Sequence, residues 1–134
     1  MNSNVKFHHF GLAVKTFDKA LKFYENLNYD CSKRVIDHIQ NVELILCTSR
    51  DFPSVELIKP INNLSPIMNY LKNNNQMIYH TCYEIDNNIE IKKLFAKNRV
   101  ICISKPQPAV LFNDRLVSFY YLPDVGVIEI LHNE

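Results

Sequence analysis

Two histidines and two glutamates recur along the chain at nearly one spacing. His9 opens the run His9-Phe10-Gly11-Leu12-Ala13-Val14, and 71 residues later His80 opens His80-Thr81-Cys82-Tyr83-Glu84-Ile85. Glu56 lies within Val55-Glu56-Leu57-Ile58 and Glu129 within Ile128-Glu129-Ile130-Leu131, 73 residues apart. Each glutamate is a lone carboxylate in an apolar run of strand character, and each histidine opens such a run, so folding is expected to bury all four. Burying two imidazoles and two carboxylates without a compensating ion would cost several kcal/mol in all. A divalent cation supplies that charge, and two nitrogen with two oxygen donors suit zinc, nickel, cobalt or manganese. The alternative is a polar network within the core.

Two similar halves, each giving one strand histidine and one strand glutamate, could gather the four about a pseudo-twofold axis. In the first half, residues 6–14 form a strand. A helix follows, its apolar stripe Phe17, Ala20, Leu21, Tyr24 and Leu27 at i, i+3, i+4, i+7 and i+10, with Thr16 as cap and Asn28 as left-handed stop. Short strands are expected over residues 31–37, 42–47 and 55–59, closed by Pro60. An asparagine-rich connector then carries a helix starting at Ser65-Pro66 and holding Ile67, Tyr70 and Leu71. The second half repeats the order: strand 77–85, a helix from Asn87 or Asn88 to about Asn98, and strands 100–103, 116–122 and 126–131. A long loop over 104–114, with Pro106, Pro108 and Asn113-Asp114-Arg115, reads as a binding loop or lid.

Composition narrows the function classes. The chain has 134 residues, 47% of them apolar, and a net charge of +1. This fits one compact domain with module one at about 5–60, a connector at 61–76 and module two at about 77–132. The balance of charge favours neither nucleic acid nor an anionic membrane, and the basic set Lys92, Lys93, Lys97 and Arg99 reads as a solvated helix face. There is no apolar leader in the Met1-Asn2-Ser3-Asn4-Val5-Lys6 stretch and no long apolar run, so a cytosolic protein is expected. Cys31, Cys47, Cys82 and Cys102 form no Cys-x-x-Cys pair and read as buried free thiols.

The order His9-x-Gly11-x-x-Val14, Phe23-Tyr24-x-x-Leu27 with Tyr29, Val55-Glu56-Leu57-Ile58-x-Pro60, Ser65-Pro66-Ile67, His80-x-Cys82-x-x-Ile85 and Asp124-x-Gly126-x-Ile128-Glu129-Ile130 resembles the vicinal oxygen chelate superfamily. The branch it looks most like holds glyoxalase I and methylmalonyl-CoA epimerase. The resemblance spans nearly the whole chain. It implies an α+β fold, the glyoxalase/bleomycin-resistance fold, in which two tandem βαβββ modules form a cupped, mostly antiparallel assembly of eight strands. It also implies His9, Glu56, His80 and Glu129 as the ligands of one divalent metal ion.

The activity implied is that of a metal-dependent lyase or isomerase moving a proton next to a carbonyl through an enediolate, on an acyl thioester or a thiohemiacetal. Glu129 and Glu56 are then candidate bases, or plain ligands. Epimerases of this type carry a glutamate where this chain has Ile39, with Glu43 as one replacement. Phe112-Asn113-Asp114-Arg115 replaces their His-Gly loop. Where bacterial glyoxalases hold glutathione with an arginine and an asparagine, this chain has Ala13 or Val14 and Pro60. Arg115 is expected either to pair with a substrate anion or to belong to a hairpin turn, and Phe10, Phe112, Phe119, Tyr120 and Tyr121 either to line the cup or to pack the core. A non-catalytic protein that sequesters a small molecule or antibiotic is the alternative; a ring-opening dioxygenase would find Glu56 a crowding fourth ligand. A homodimer is expected.

Overall fold

The computed structural model describes residues 4–86 and 88–133. Its elements run β1 Val5–Val14, α1 Asp18–Asn26, β2 Asp30–Cys31, β3 Val35–Asp37, β4 Val42–Thr48, β5 Ser54–Pro60, α2 Met68–Leu71, β6 Gln76–Ile85, α3 Asn88–Leu94, β7 Ile101–Ala109, β8 Arg115–Leu122 and β9 Gly126–His132. A single 3-10 turn, Val110–Phe112, joins β7 to β8. The chain divides into two compact units, residues 9–79 and the residues before and after them.

In the unit of residues 9–79 the strand order is β2-β4-β5-β1, with β3 also on β4. β1 and β5 run parallel and the other neighbours antiparallel. The parallel step requires a crossover, and α1 with the strands after it supplies one. Val14, Phe17, Tyr29, Ile45, Cys47, Val55 and Leu57 form the core on one face, and Leu21 and Tyr24 of α1 pack on it. Fully burying a side chain such as Leu57 contributes about 1.5–3 kcal/mol. Since strand side chains alternate, His9, Gly11 and Ala13 of β1, with Glu56 and Ile58 of β5, point from the opposite face.

The other unit repeats the plan as β6-β9-β8-β7, with β6 parallel to β9. Ile85, Leu122, Ile128 and Ile130 form its helix-side core beneath Ile91 and Leu94 of α3. Alternation then sends His80 and Cys82 of β6, Val127, Glu129 and Leu131 of β9, and Val117 and Phe119 of β8 to the other face.

The paired βαβββ plan is the one expected, with differences of detail. Nine strands are described rather than eight, because the run 31–37 breaks into β2 and β3. There the Ser32 hydroxyl accepts the Leu46 N–H at 2.9 Å. The ladder slips by one: Cys31 faces Cys47, but Val35 faces Leu44. Thr16 does not cap α1; Phe17 holds the N-cap position with no side-chain cap bond. Asn28 takes the left-handed stop as expected, at φ 64°. The connector helix is the single turn α2, its N-cap Ile67 also without a side-chain cap bond. α3 starts at Asn88 and ends at Leu94, short of Asn98; Asn87, the other expected start, lies outside the described residues, as do Met1, Asn2 and Ser3.

The long loop expected over 104–114 is the largest difference. β7 runs on to Ala109 through Pro106 and Pro108. It ends its unit's strand order and, among the described residues, pairs with β8 alone, with register shifts between Cys102 and Ser104 and between Ser104 and Gln107. Prolines lack the ladder N–H, and an irregular strand of this kind tolerates them. Asn113 and Asp114, both left-handed at φ 55° and 63°, then turn the chain into β8.

Candidate functional site

The parallel pairing of β1 with β5 sets Gly11 opposite Glu56. His9 lies two positions before Gly11, so its ring and the Glu56 carboxylate leave the sheet on one face. Gly11 has no side chain to fill the space between them. His9 Nε2 stands 3.7 Å from Glu56 Oε1, with His9 0% and Glu56 4% exposed.

The other unit repeats this register. Cys82 faces Glu129 across β6 and β9, and His80 lies two positions before Cys82. His80 Nε2 is 3.0 Å from Glu129 Oε1, and both residues are buried. The ring of Phe119, whose backbone faces Glu129 across β8 and β9, meets the His80 ring edge-on at 5.6 Å. Thus a small residue, Gly11 or Cys82, faces each glutamate and leaves the histidine as its neighbour.

Each couple buries one imidazole and one carboxylate, a combination that is costly without further charge compensation. Imidazole nitrogen and carboxylate oxygen are also the donors that zinc, nickel, cobalt and manganese accept. The residues therefore fit the divalent ion expected from the sequence.

Each residue expected to contact substrate has a partner within its own unit. Glu43 shares the helix-side face of β4 with Ile45 and Cys47, opposite to the face of Glu56. Its carboxylate accepts from Lys59 Nζ at 2.7 Å and pairs with Arg34 Nε at 3.3 Å. Arg115 starts β8 and donates to Glu84 Oε2 at 2.8 Å, to the His132 carbonyl at 3.3 Å and to Asn133 Oδ1. Phe112 is buried, its ring edge-on to that of His8. Phe10 and Tyr120 pack against the helix-side cores, Tyr121 is exposed, and Phe119 meets the His80 ring.

Two further polar arrangements could not be read from sequence. Ser118 Oγ and His132 Nε2 lie 2.8 Å apart; burial holds the His132 imidazole below its ordinary pKa. Asp37, buried at the end of β3, accepts from both the backbone and the side-chain nitrogen of Gln40, each at 3.0 Å. Both depend on strand ends and turns, for which the sequence carries no periodic signal.

Comparison with known proteins agrees with this architecture. The family model described as Glyoxalase/Bleomycin resistance protein/Dioxygenase superfamily matches residues 8–119. The mitochondrial methylmalonyl-CoA epimerase of Dictyostelium discoideum is 25% identical over 118 residues, 87% of this chain and 70% of that protein. The crystal structure of methylmalonyl-CoA epimerase from Mycobacterium tuberculosis superposes with a TM-score of 0.80 at 17% identity, over 100% of this chain and 92% of the other. A Streptomyces coelicolor methylmalonyl-CoA epimerase in complex with 2-nitronate-propionyl-CoA gives a TM-score of 0.75 at 16% identity, over 97% of this chain and 98% of that one. The chain belongs to the glyoxalase/bleomycin resistance protein/dioxygenase superfamily.

Proposed function

We propose that this protein is a metal-dependent isomerase of the methylmalonyl-CoA epimerase type, moving the proton next to the carbonyl of an acyl thioester. The observation that carries this reading is the buried histidine–glutamate couple, built twice in one register. His9, Glu56, His80 and Glu129 would be the ligands of one divalent ion, zinc, nickel, cobalt or manganese. When bound, the ion supplies a Lewis acid that makes negative charge on a substrate carbonyl oxygen less costly. The likeness to epimerases from several organisms supports the thioester over the thiohemiacetal.

The chain's own residues then do the following. As ligands, the histidines would each present an imidazole lone pair to the ion. Glu129 and Glu56 are the candidate bases that take a proton from carbon and return it. The stretch His38-Ile39-Gln40-Asn41-Val42 carries no carboxylate, and Glu43 faces the helix-side core, so proton transfer rests on these two. The apolar surround, with Phe119 against His80, keeps water from the carboxylates and strengthens each charge interaction. A homodimer is supported by the β7 edge, where Ile101 and Ile103 are exposed.

The test is solvent exchange. Protein reconstituted in turn with each of the four metals is incubated with one stereoisomer of methylmalonyl-CoA in deuterium oxide. Deuterium at the carbon next to the thioester, with loss of optical purity, is the expected result. Tight binding of the thioester with no exchange under any metal would contradict the isomerase and favour a sequestering protein.

A further inference from the structure

Cys31 and Cys47 face each other directly across the antiparallel pair β2 and β4. The adjoining Ser32 N–H donates to the Leu46 carbonyl at 2.8 Å, which places the cysteines in the non-hydrogen-bonded register. That register brings Cα atoms to about 4.5 Å, inside the roughly 4.4–6.8 Å that a disulfide accepts. The two thiols are free and their sulfurs lie 2.9 Å apart, about 0.9 Å beyond the length of an S–S bond. Their surroundings differ. Cys47 is buried in the core beneath α1 with Tyr29, Ile45 and Val55, whereas Cys31 is only partly covered.

We propose that Cys31 and Cys47 form a reversible dithiol–disulfide site whose co-substrate is a small-molecule disulfide of the glutathione class. The Cys31 thiolate, on the sulfur that solvent reaches, attacks one sulfur of the small disulfide. One thiolate leaves, and Cys31 carries a mixed disulfide. The Cys47 sulfur then gives up its proton and attacks the Cys31 sulfur, expelling the second thiolate. The protein loses two protons and two electrons, and the small disulfide takes them up to become two thiols. Burial, reinforced by the Cys31 contact, pushes the Cys47 thiol up. Cys47 is thereby kept as the thiol in the reduced protein, which leaves Cys31 as the sulfur that meets the small disulfide first. The bond would close the segment carrying β3 and its turn. Cys47 lies on the face of β4 opposite to Leu46, the residue that faces Glu56, so the site is chemically separate from the histidine–glutamate couples.

The experiment uses reduced full-length protein, freed of reductant and titrated with glutathione disulfide at neutral pH. Free thiols are then blocked, and the digest is mapped by mass. Two of the four thiols should be lost, a Cys31–Cys47 linked peptide pair should appear, and dithiothreitol should reverse both. Cys47→Ser should retain glutathione on Cys31, and Cys31→Ser should form no cross-link. Four thiols surviving excess oxidant, a glutathione adduct persisting on Cys31 of the unmutated protein, or a link to Cys82 or Cys102 would each overturn the proposal.

Discussion

Nε2 of His80 lies 3.0 Å from Oε1 of Glu129, and the same atoms of His9 and Glu56 lie 3.7 Å apart. Each couple joins parallel neighbours in one register, the histidine two positions before the residue that faces the glutamate. The spacing of the two strands is therefore what aims each imidazole at its carboxylate.

The proposed function assigns proton transfer to these carboxylates. Glu129→Gln keeps the size of the side chain and removes its basicity, so the rate of deuterium exchange into methylmalonyl-CoA should fall by about 10²–10⁴-fold. Circular dichroism and metal content are followed alongside to separate a lost base from a lost ligand. Exchange at the unmutated rate would remove Glu129 from the chemistry.

Glu43 gives the opposite expectation. It faces the helix-side core and pairs with Lys59 and Arg34. Glu43→Gln should lower stability by about 1 kcal/mol in urea titration and leave exchange within about twofold of the unmutated rate. A hundredfold drop in exchange would place Glu43 in the chemistry after all.

Gly126 opens β9 at φ 113°, a conformation that L side chains rarely adopt. An added Cβ would meet nothing within 4 Å, so any cost is conformational rather than steric. Gly126→Ala should destabilise the fold by about 1–3 kcal/mol. A melting temperature equal to that of the unmutated protein would mean that the turn relaxes without penalty.

Burial lowers the pKa of His132 from its ordinary 6.5. The unfolded chain therefore binds this proton more readily than the folded one, and the contribution of His132 to stability rises with pH. That contribution is fully present above about pH 6.5 and is lost as pH falls from there towards the lowered folded value. His132→Gln should flatten this part of the dependence when urea midpoints are compared between pH 7.5 and 5.5. Identical slopes in the two proteins would show that the shift carries no weight in stability.

Much of this architecture was legible in the sequence because burial periodicity and internal repetition are local signals. The alternation around Glu56 and Glu129 marked two strands with one carboxylate each, and the stripe from Phe17 to Leu27 marked α1. Less was legible where a side chain overrides the pattern or a neighbour is remote. The Ser32 hydroxyl splits one strand into β2 and β3. Pro106 and Pro108 suggested a loop, yet an edge position lets β7 run through them. Arg115 was open as a substrate contact or part of a turn; Glu84, 31 residues earlier, holds its guanidinium. The facing of Cys31 and Cys47 depends on a register that only the folded β2 and β4 define.

The most direct test of the central claim is elemental analysis of the purified, untagged protein beside His80→Ala and Glu129→Gln. The account predicts about one zinc, nickel, cobalt or manganese per chain in the unmutated protein, with most of it lost in His80→Ala and reduced in Glu129→Gln. No metal in the unmutated protein and none taken up on addition, or full metal retained in His80→Ala, would contradict it.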